Sequence, residues 1–124
     1  MLDSLNLSNC KRLRSVELRT PALRTLNMSA CSALETIEVD GATALQSANL
    51  FQCRCVTSPS VLTLALSARA SLQSLLLCGC HFVTDPTLTT VADECPFIRT
   101  LDVSACRNLA PAVVSIITQP LSLG

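Results

Sequence analysis

Five cysteines occupy one column of an internal repeat. Segments opening at Leu2, Leu23, Leu45, Leu72 and Ile98 each carry a cysteine as ninth residue: Cys10, Cys31, Cys53, Cys80 and Cys106. The fourth column reads Leu5, Leu26, Ala48, Leu75, Leu101, the sixth Leu7, Met28, Leu50, Leu77, Val103, and the twelfth Leu13, Leu34, Val56, Val83, Leu109. All of these are apolar. Apolar fourth and sixth residues among polar neighbours have the period of a short β-strand with one face inward. The segments recur after 21, 22, 27 and 26 residues, too few for each to bury its apolar face alone, so units of this size stack. The expected fold is α/β: one domain over residues 1–124, a solenoid arc of about five coils with a parallel sheet on its concave side.

Coil length predicts what lies behind that sheet. After Leu13 and Leu34 the strand pattern repeats, as Leu13, Val16, Leu18 and Leu34, Ile37, Val39, with Pro21 and Ala42 where the cysteine would fall. These coils are expected to have extended backs. In the longer coils, Ser58-Pro59 and Asp85-Pro86 place a capping side chain before a proline at the first helical position, a helix start signal. Val61, Leu62, Ala65 and Leu66 then mark one helix, and Leu88, Val91 and Ala92 a second that stops before Cys95-Pro96. Pro111 with Val113, Val114, Ile116 and Ile117 predicts a third. Helices are therefore expected only on the later coils.

Composition narrows function. A chain that is 49% hydrophobic and 15% charged carries too much apolar surface to stay disordered. With 2% aromatic residues and zero net charge, it lacks both the stacking platform and the electrostatic pull of a nucleic-acid binder. Its apolar runs fall far short of the roughly 20 residues of a membrane helix, and Met1 to Cys10 lack the pattern of a secretory signal. A cytoplasmic or nuclear location follows as an expectation, with the eight cysteines as free thiols. The cysteine column then fills the interior as small apolar residues, each with a weak S–H donor for a nearby carbonyl.

The run Leu72-Gln-Ser-Leu75-Leu-Leu77-Cys-Gly-Cys80, followed by Val83-Thr84-Asp85, Leu88, Val91-Ala92, Cys95-Pro96 and Ile98, resembles the cysteine-containing leucine-rich repeats of the F-box/leucine-rich-repeat proteins. The shorter coils resemble that family's plant-type variant repeats. The resemblance implies a substrate receptor of a cullin-based ubiquitin ligase, in which an F-box docks on the ligase adaptor and the concave face of the repeats holds the target. Because a repeat strand begins at Leu2, the F-box is expected to be absent from this piece, leaving the recognition arm of a longer solenoid. A leucine-rich-repeat adaptor or scaffold outside the ligase is the alternative.

Catalytic and metal chemistry find weak footing. Cys53-Arg-Cys55 and Cys78-Gly-Cys80-His81 hold enough donors for zinc, but zinc sites usually place two residues between paired cysteines, and one cysteine of each pair belongs to the repeat column. A thiol enzyme would have to pair the sole histidine, His81, with Cys78, and His81 reads instead as a solvent-exposed loop residue. The three glycines, Gly41, Gly79 and Gly124, form no phosphate loop. No enzyme activity, cofactor or metal is expected. Lys11, Arg12, Arg14, Arg19 and Arg24 fall on different faces and read as a solvated edge.

The concave surface is therefore the expected site, for a protein or peptide. Its outward columns are Ser4, Thr25, Ser47, Ser74, Thr100, then Asn6, Asn27, Asn49, Leu76, Asp102, then Ser8, Ser29, Phe51, Cys78, Ser104. Phe51, Leu76 and Cys78 form an apolar island in a polar field, fitted to anchor a side chain while the amides bind peptide backbone. Glu17, Glu38 and Asp40 beside Arg19, on the convex side, are the second candidate surface. Leu2, Leu5 and Leu7 have no unit before them, and Pro120, Leu121 and Leu123 do not close the far end, so self-association through the uncapped first coil is expected.

Overall fold

The repeat columns become neighbours in space. A computed structural model describes residues 2–109, with strands β1 (Ser4–Asn6), β2 (Ser15–Leu18), β3 (Thr25–Asn27), β4 (Thr36–Val39) and β5 (Ser47–Asn49), helix α1 (Ser58–Ser67), strand β6 (Ser74–Leu76), helix α2 (Asp85–Glu94) and strand β7 (Thr100–Asp102). The fold is α/β. A five-stranded parallel sheet runs in the order β1-β3-β5-β6-β7, and β2 pairs with β4 in a separate parallel sheet. Leu5, Leu26, Ala48, Leu75 and Leu101 face one another strand by strand, so each strand-to-strand step is one sequence repeat.

Burial follows the columns. Leu26, Met28, Leu34, Leu50, Val56, Leu75, Leu77 and Val83 are all buried, whereas Leu5, Leu7 and Leu13 of the first unit are partly buried and pack on that core. Each fully buried leucine contributes on the order of 1.5 to 3 kcal/mol over an exposed one. The extended backs form as expected, with Val16 opposite Ile37 and Leu18 opposite Val39.

Both helices start where expected, but the sequence misplaces their caps. Thr57, not Ser58, is the N-cap of α1 and accepts the Ser60 N–H, while Thr84, not Asp85, is that of α2. Each proline thus sits one position further into the first turn, where its missing N–H still leaves no helical bond unmade. The buried face shifts too. Ser60, Val61, Leu64 and Ala65 are buried on α1, leaving Leu62 and Leu66 at the margin, and Thr87 joins Leu88 and Val91 on α2 while Ala92 is partly exposed. The predicted helix from Pro111 to Ile117 lies outside the described residues.

The cysteine column makes a hydrogen-bonded ladder. Cys31, Cys53, Cys80 and Cys106 each donate Sγ–H to the sixth-column carbonyl of the preceding unit: to Leu7 at 3.0 Å, Met28 at 2.9 Å, Leu50 at 3.2 Å and Leu77 at 3.0 Å. The same four oxygens accept the N–H of their own unit's cysteine, Cys10, Cys31, Cys53 and Cys80, closing a tight turn. Both lone pairs of an interior carbonyl are thereby used, which removes the cost of burying it half-satisfied. Cys95, the C-cap of α2, reaches the Ala65 carbonyl of α1 at 3.5 Å.

The residue before each ladder cysteine is left-handed. Asn9, Ala30, Gln52, Gly79 and Ala105 have φ of 62°, 60°, 60°, 80° and 58°. A non-glycine residue gives up about 1 to 2 kcal/mol there. The turn is held across units, because the N–H groups of Asn9, Ala30, Gln52 and Gly79 donate to the carbonyls of Ser29, Phe51, Cys78 and Ser104.

Candidate functional site

Strand alternation turns the third and fifth columns of the five-stranded sheet away from the core. In the fifth column, Asn6, Asn27, Asn49 and Asp102 use Oδ1 to accept the N–H two residues on, from Ser8, Ser29, Phe51 and Ser104, each at 2.9 Å. The oxygens of this amide field are engaged in local turns, which leaves the asparagine Nδ2 groups as its donors for peptide backbone. Asp102 fits the column because it shares Oδ1 with asparagine. The recurring Asn-x-Ser spacing carried that signal.

Leu76 breaks the column and supplies no acceptor. The N–H of Cys78, two residues on, has no hydrogen-bond partner among the described residues. Phe51 stands beside it, since the adjacent Gln52 donates its N–H to the Cys78 carbonyl. Phe51 is 45% exposed, and Leu76 and Cys78 are partly exposed. The third and fourth units thus bring together an apolar patch and an open backbone donor, in a sheet where the units other than the fourth close theirs.

The thiols are unsuited to nucleophilic work in the ladder. All eight cysteines are free. Burial pushes the Cys53 thiol up to about 12 and also raises Cys31, Cys80, Cys95 and Cys106, the reverse of what a reactive thiolate needs. Among the described residues no three cysteine, histidine or acidic side chains converge on a common metal position, so Cys53, Cys55, Cys78, Cys80 and His81 do not form the zinc set that their spacing raised. His81 is not the solvent-exposed residue expected: it is partly buried, its Nδ1 is buried with no hydrogen-bond partner among the described residues, and its carbonyl accepts an N–H from Asn108 Nδ2.

A cleft of about 430 Å³ is bounded by β2, β4 and the first turns of α1, and Glu17, Arg19, Glu38 and Asp40 line it. The sequence grouped these charges, but the cleft comes from a helix succeeding two strands. No helix among the described residues is long and apolar enough to cross a membrane. No protein-family model and no curated protein matches the chain.

Proposed function

We propose that the chain is a leucine-rich-repeat arc that recognises a protein or peptide on its five-stranded sheet, and that it is the substrate-binding part of an F-box-type ubiquitin-ligase receptor. The first statement is supported by the juxtaposition of Phe51, Leu76 and Cys78, where an exposed aromatic lies beside a backbone N–H that has no partner among the described residues. An apolar side chain of the target packs on Phe51 and Leu76, and a target carbonyl accepts from Cys78, a pairing of apolar anchor and main-chain bond typical of peptide recognition. Asn6, Asn27, Asn49 and Asp102 frame the surface, with their oxygens committed to turns. The ligase assignment rests on the resemblance of the Leu72 to Ile98 repeat. Free thiols throughout suit a cytoplasmic or nuclear setting.

The experiment is quantitative co-purification of the full-length gene product from cells, comparing wild type with Phe51→Ala/Leu76→Ala. Recovery of cullin-ligase subunits with both proteins, and loss of a further partner only from the variant, is the expected result. Loss of no partner contradicts the recognition surface. Retention of a partner without ligase subunits identifies an adaptor and overturns the ligase assignment.

A further inference from the structure

We infer that the rim of the five-stranded sheet, at the carboxyl ends of its strands, binds an extended acidic peptide segment laid across the repeats, with a carboxylate at about every third residue. This names the chemistry of the target and rests on the sheet being the recognition surface. The rim is the tenth column of the repeat, one residue past the cysteine ladder: Lys11, Ser32, Arg54, His81 and Arg107. Its register is held by hydrogen bonds that continue between units beyond the strands. Leu7, Met28, Leu50 and Leu77 donate N–H to the fifth-column carbonyl of the next unit, and Asn9, Ala30, Gln52 and Gly79 donate to its seventh-column carbonyl. Lys11, Arg54 and Arg107 therefore stand two units apart in turn, roughly 10 Å at the usual strand spacing, which is the length of about three residues of extended chain.

Charge in this molecule is separated. Nine basic residues balance nine acidic ones, but Glu17, Glu35, Glu38 and Asp40 lie on or beside β2 and β4, and Asp85, Asp93 and Glu94 on α2, all in the connections between strands of the five-stranded sheet. Ion pairs form there, between Arg19 and Glu17 and between Arg69 and Glu94. On the rim, Lys11, Arg54 and Arg107, with Arg12 beside them, are exposed and have no ion-pair partner among the described residues. Asp102, the acidic residue of the outward columns, already spends Oδ1 on the N–H and the hydroxyl of Ser104.

The rim also adjoins the apolar patch. Phe51 lies three residues before Arg54 in the third unit. Arg54 Nε donates to Gln52 Oε1 at 3.3 Å, which steadies the guanidinium and leaves its two terminal nitrogens for a carboxylate. An acidic segment supplies the counter-charge that the rim lacks, whereas a basic one adds to like charge. With aromatic residues at 2% of the chain, a nucleic acid would meet cations without a stacking platform, so the occupant is a peptide.

The test is fluorescence anisotropy of the 124-residue chain with a dye-labelled peptide of serines that carries glutamate at every third position and one central leucine. Saturable binding that weakens with added salt is expected, with affinity falling at least about tenfold in Arg54→Glu/Arg107→Glu. Arg24→Glu/Arg99→Glu makes the same change of charge at the opposite ends of the strands and should bind as wild type does. Arg54→Lys/Arg107→Lys should retain most of the binding, and unchanged melting temperatures confirm that all three variants fold. Equal losses in the two glutamate variants, no saturable binding of the acidic peptide by wild type, or tighter binding of a single-stranded oligonucleotide overturns the inference. A leucine-free version of the peptide separates rim from patch. Loss of both peptides in Arg54→Glu/Arg107→Glu, with both retained in Phe51→Ala/Leu76→Ala, supports the rim while contradicting the apolar anchor.

Discussion

Cys53 donates its Sγ–H to the carbonyl oxygen of Met28 across 2.9 Å, and that oxygen also takes the N–H of Cys31. One atom therefore closes a turn in its own unit and receives the next unit, which makes the ladder cysteines joints between repeats as well as filler.

Replacing Cys53 by serine is expected to cost about 1 to 3 kcal/mol in urea unfolding, because a shorter, more strongly hydrated hydroxyl must serve the same oxygen from a fully buried site. Cys55→Ser, at a partly exposed position outside the ladder, should stay within about 0.5 kcal/mol. Equal losses at the two positions would show that the ladder is not special.

Alkali should weaken the fold through the same thiols. An unfolded cysteine loses its proton near pH 8.5, whereas burial pushes Cys53 up to about 12. Above the unfolded value the native state binds more protons, so stability falls as pH rises toward the folded value. Between about pH 8 and about pH 10, wild type should lose about 2 kcal/mol more than Cys53→Ala in denaturant titrations. Parallel curves for the two proteins would contradict a shielded Cys53.

The left-handed column offers a backbone test. Gly79 has φ of 80°, and a Cβ there would come within 2.9 Å of the Gln52 side chain, so Gly79→Ala should destabilise by about 1 kcal/mol, with Gln52 moving aside. Ala105→Gly, at φ of 58°, removes the same penalty and should be neutral or slightly stabilising in thermal unfolding. A clear loss on Ala105→Gly would contradict the assigned conformation.

Among the described residues β1 is an edge strand, and in the isolated 124-residue chain that edge should promote association. Leu2 is 50% exposed, and Leu5 and Leu7 are less buried than Leu26 and Met28, and an unpaired edge with apolar flanks invites another strand. Sedimentation velocity is expected to show concentration-dependent dimers that Leu5→Lys disperses. A monomer at high concentration, with Leu5 and Leu7 amides as slow to exchange as those of Leu75 and Leu77, would contradict this.

The stacking of units was legible because Cys31, Leu26 and Met28 each repeat an apolar type at a fixed offset, and burial demands that type. The left-handed column was hidden, since Asn9, Ala30, Gln52 and Ala105 share no chemistry that requests positive φ, which hydrogen bonds between units impose. Thr57-Ser58 and Thr84-Asp85 each offer two capping residues in succession, so spacing alone could not choose between them. The committed oxygens of Asn6, Asn27 and Asn49 escaped notice because an exposed amide reads alike whether it holds a turn or a ligand. The cleft beside β4 belongs to neither strand nor helix alone and arises where one kind of back gives way to the other.

The most direct measurement replaces Leu76 by asparagine and compares partner retention with thermal stability. Leu76→Asn would restore to Cys78 the Oδ1 acceptor present in the other four units, while removing the apolar anchor. Recognition on the five-stranded sheet predicts an unchanged or slightly raised melting temperature together with at least about tenfold weaker partner binding. Undiminished binding by this stable variant would contradict it.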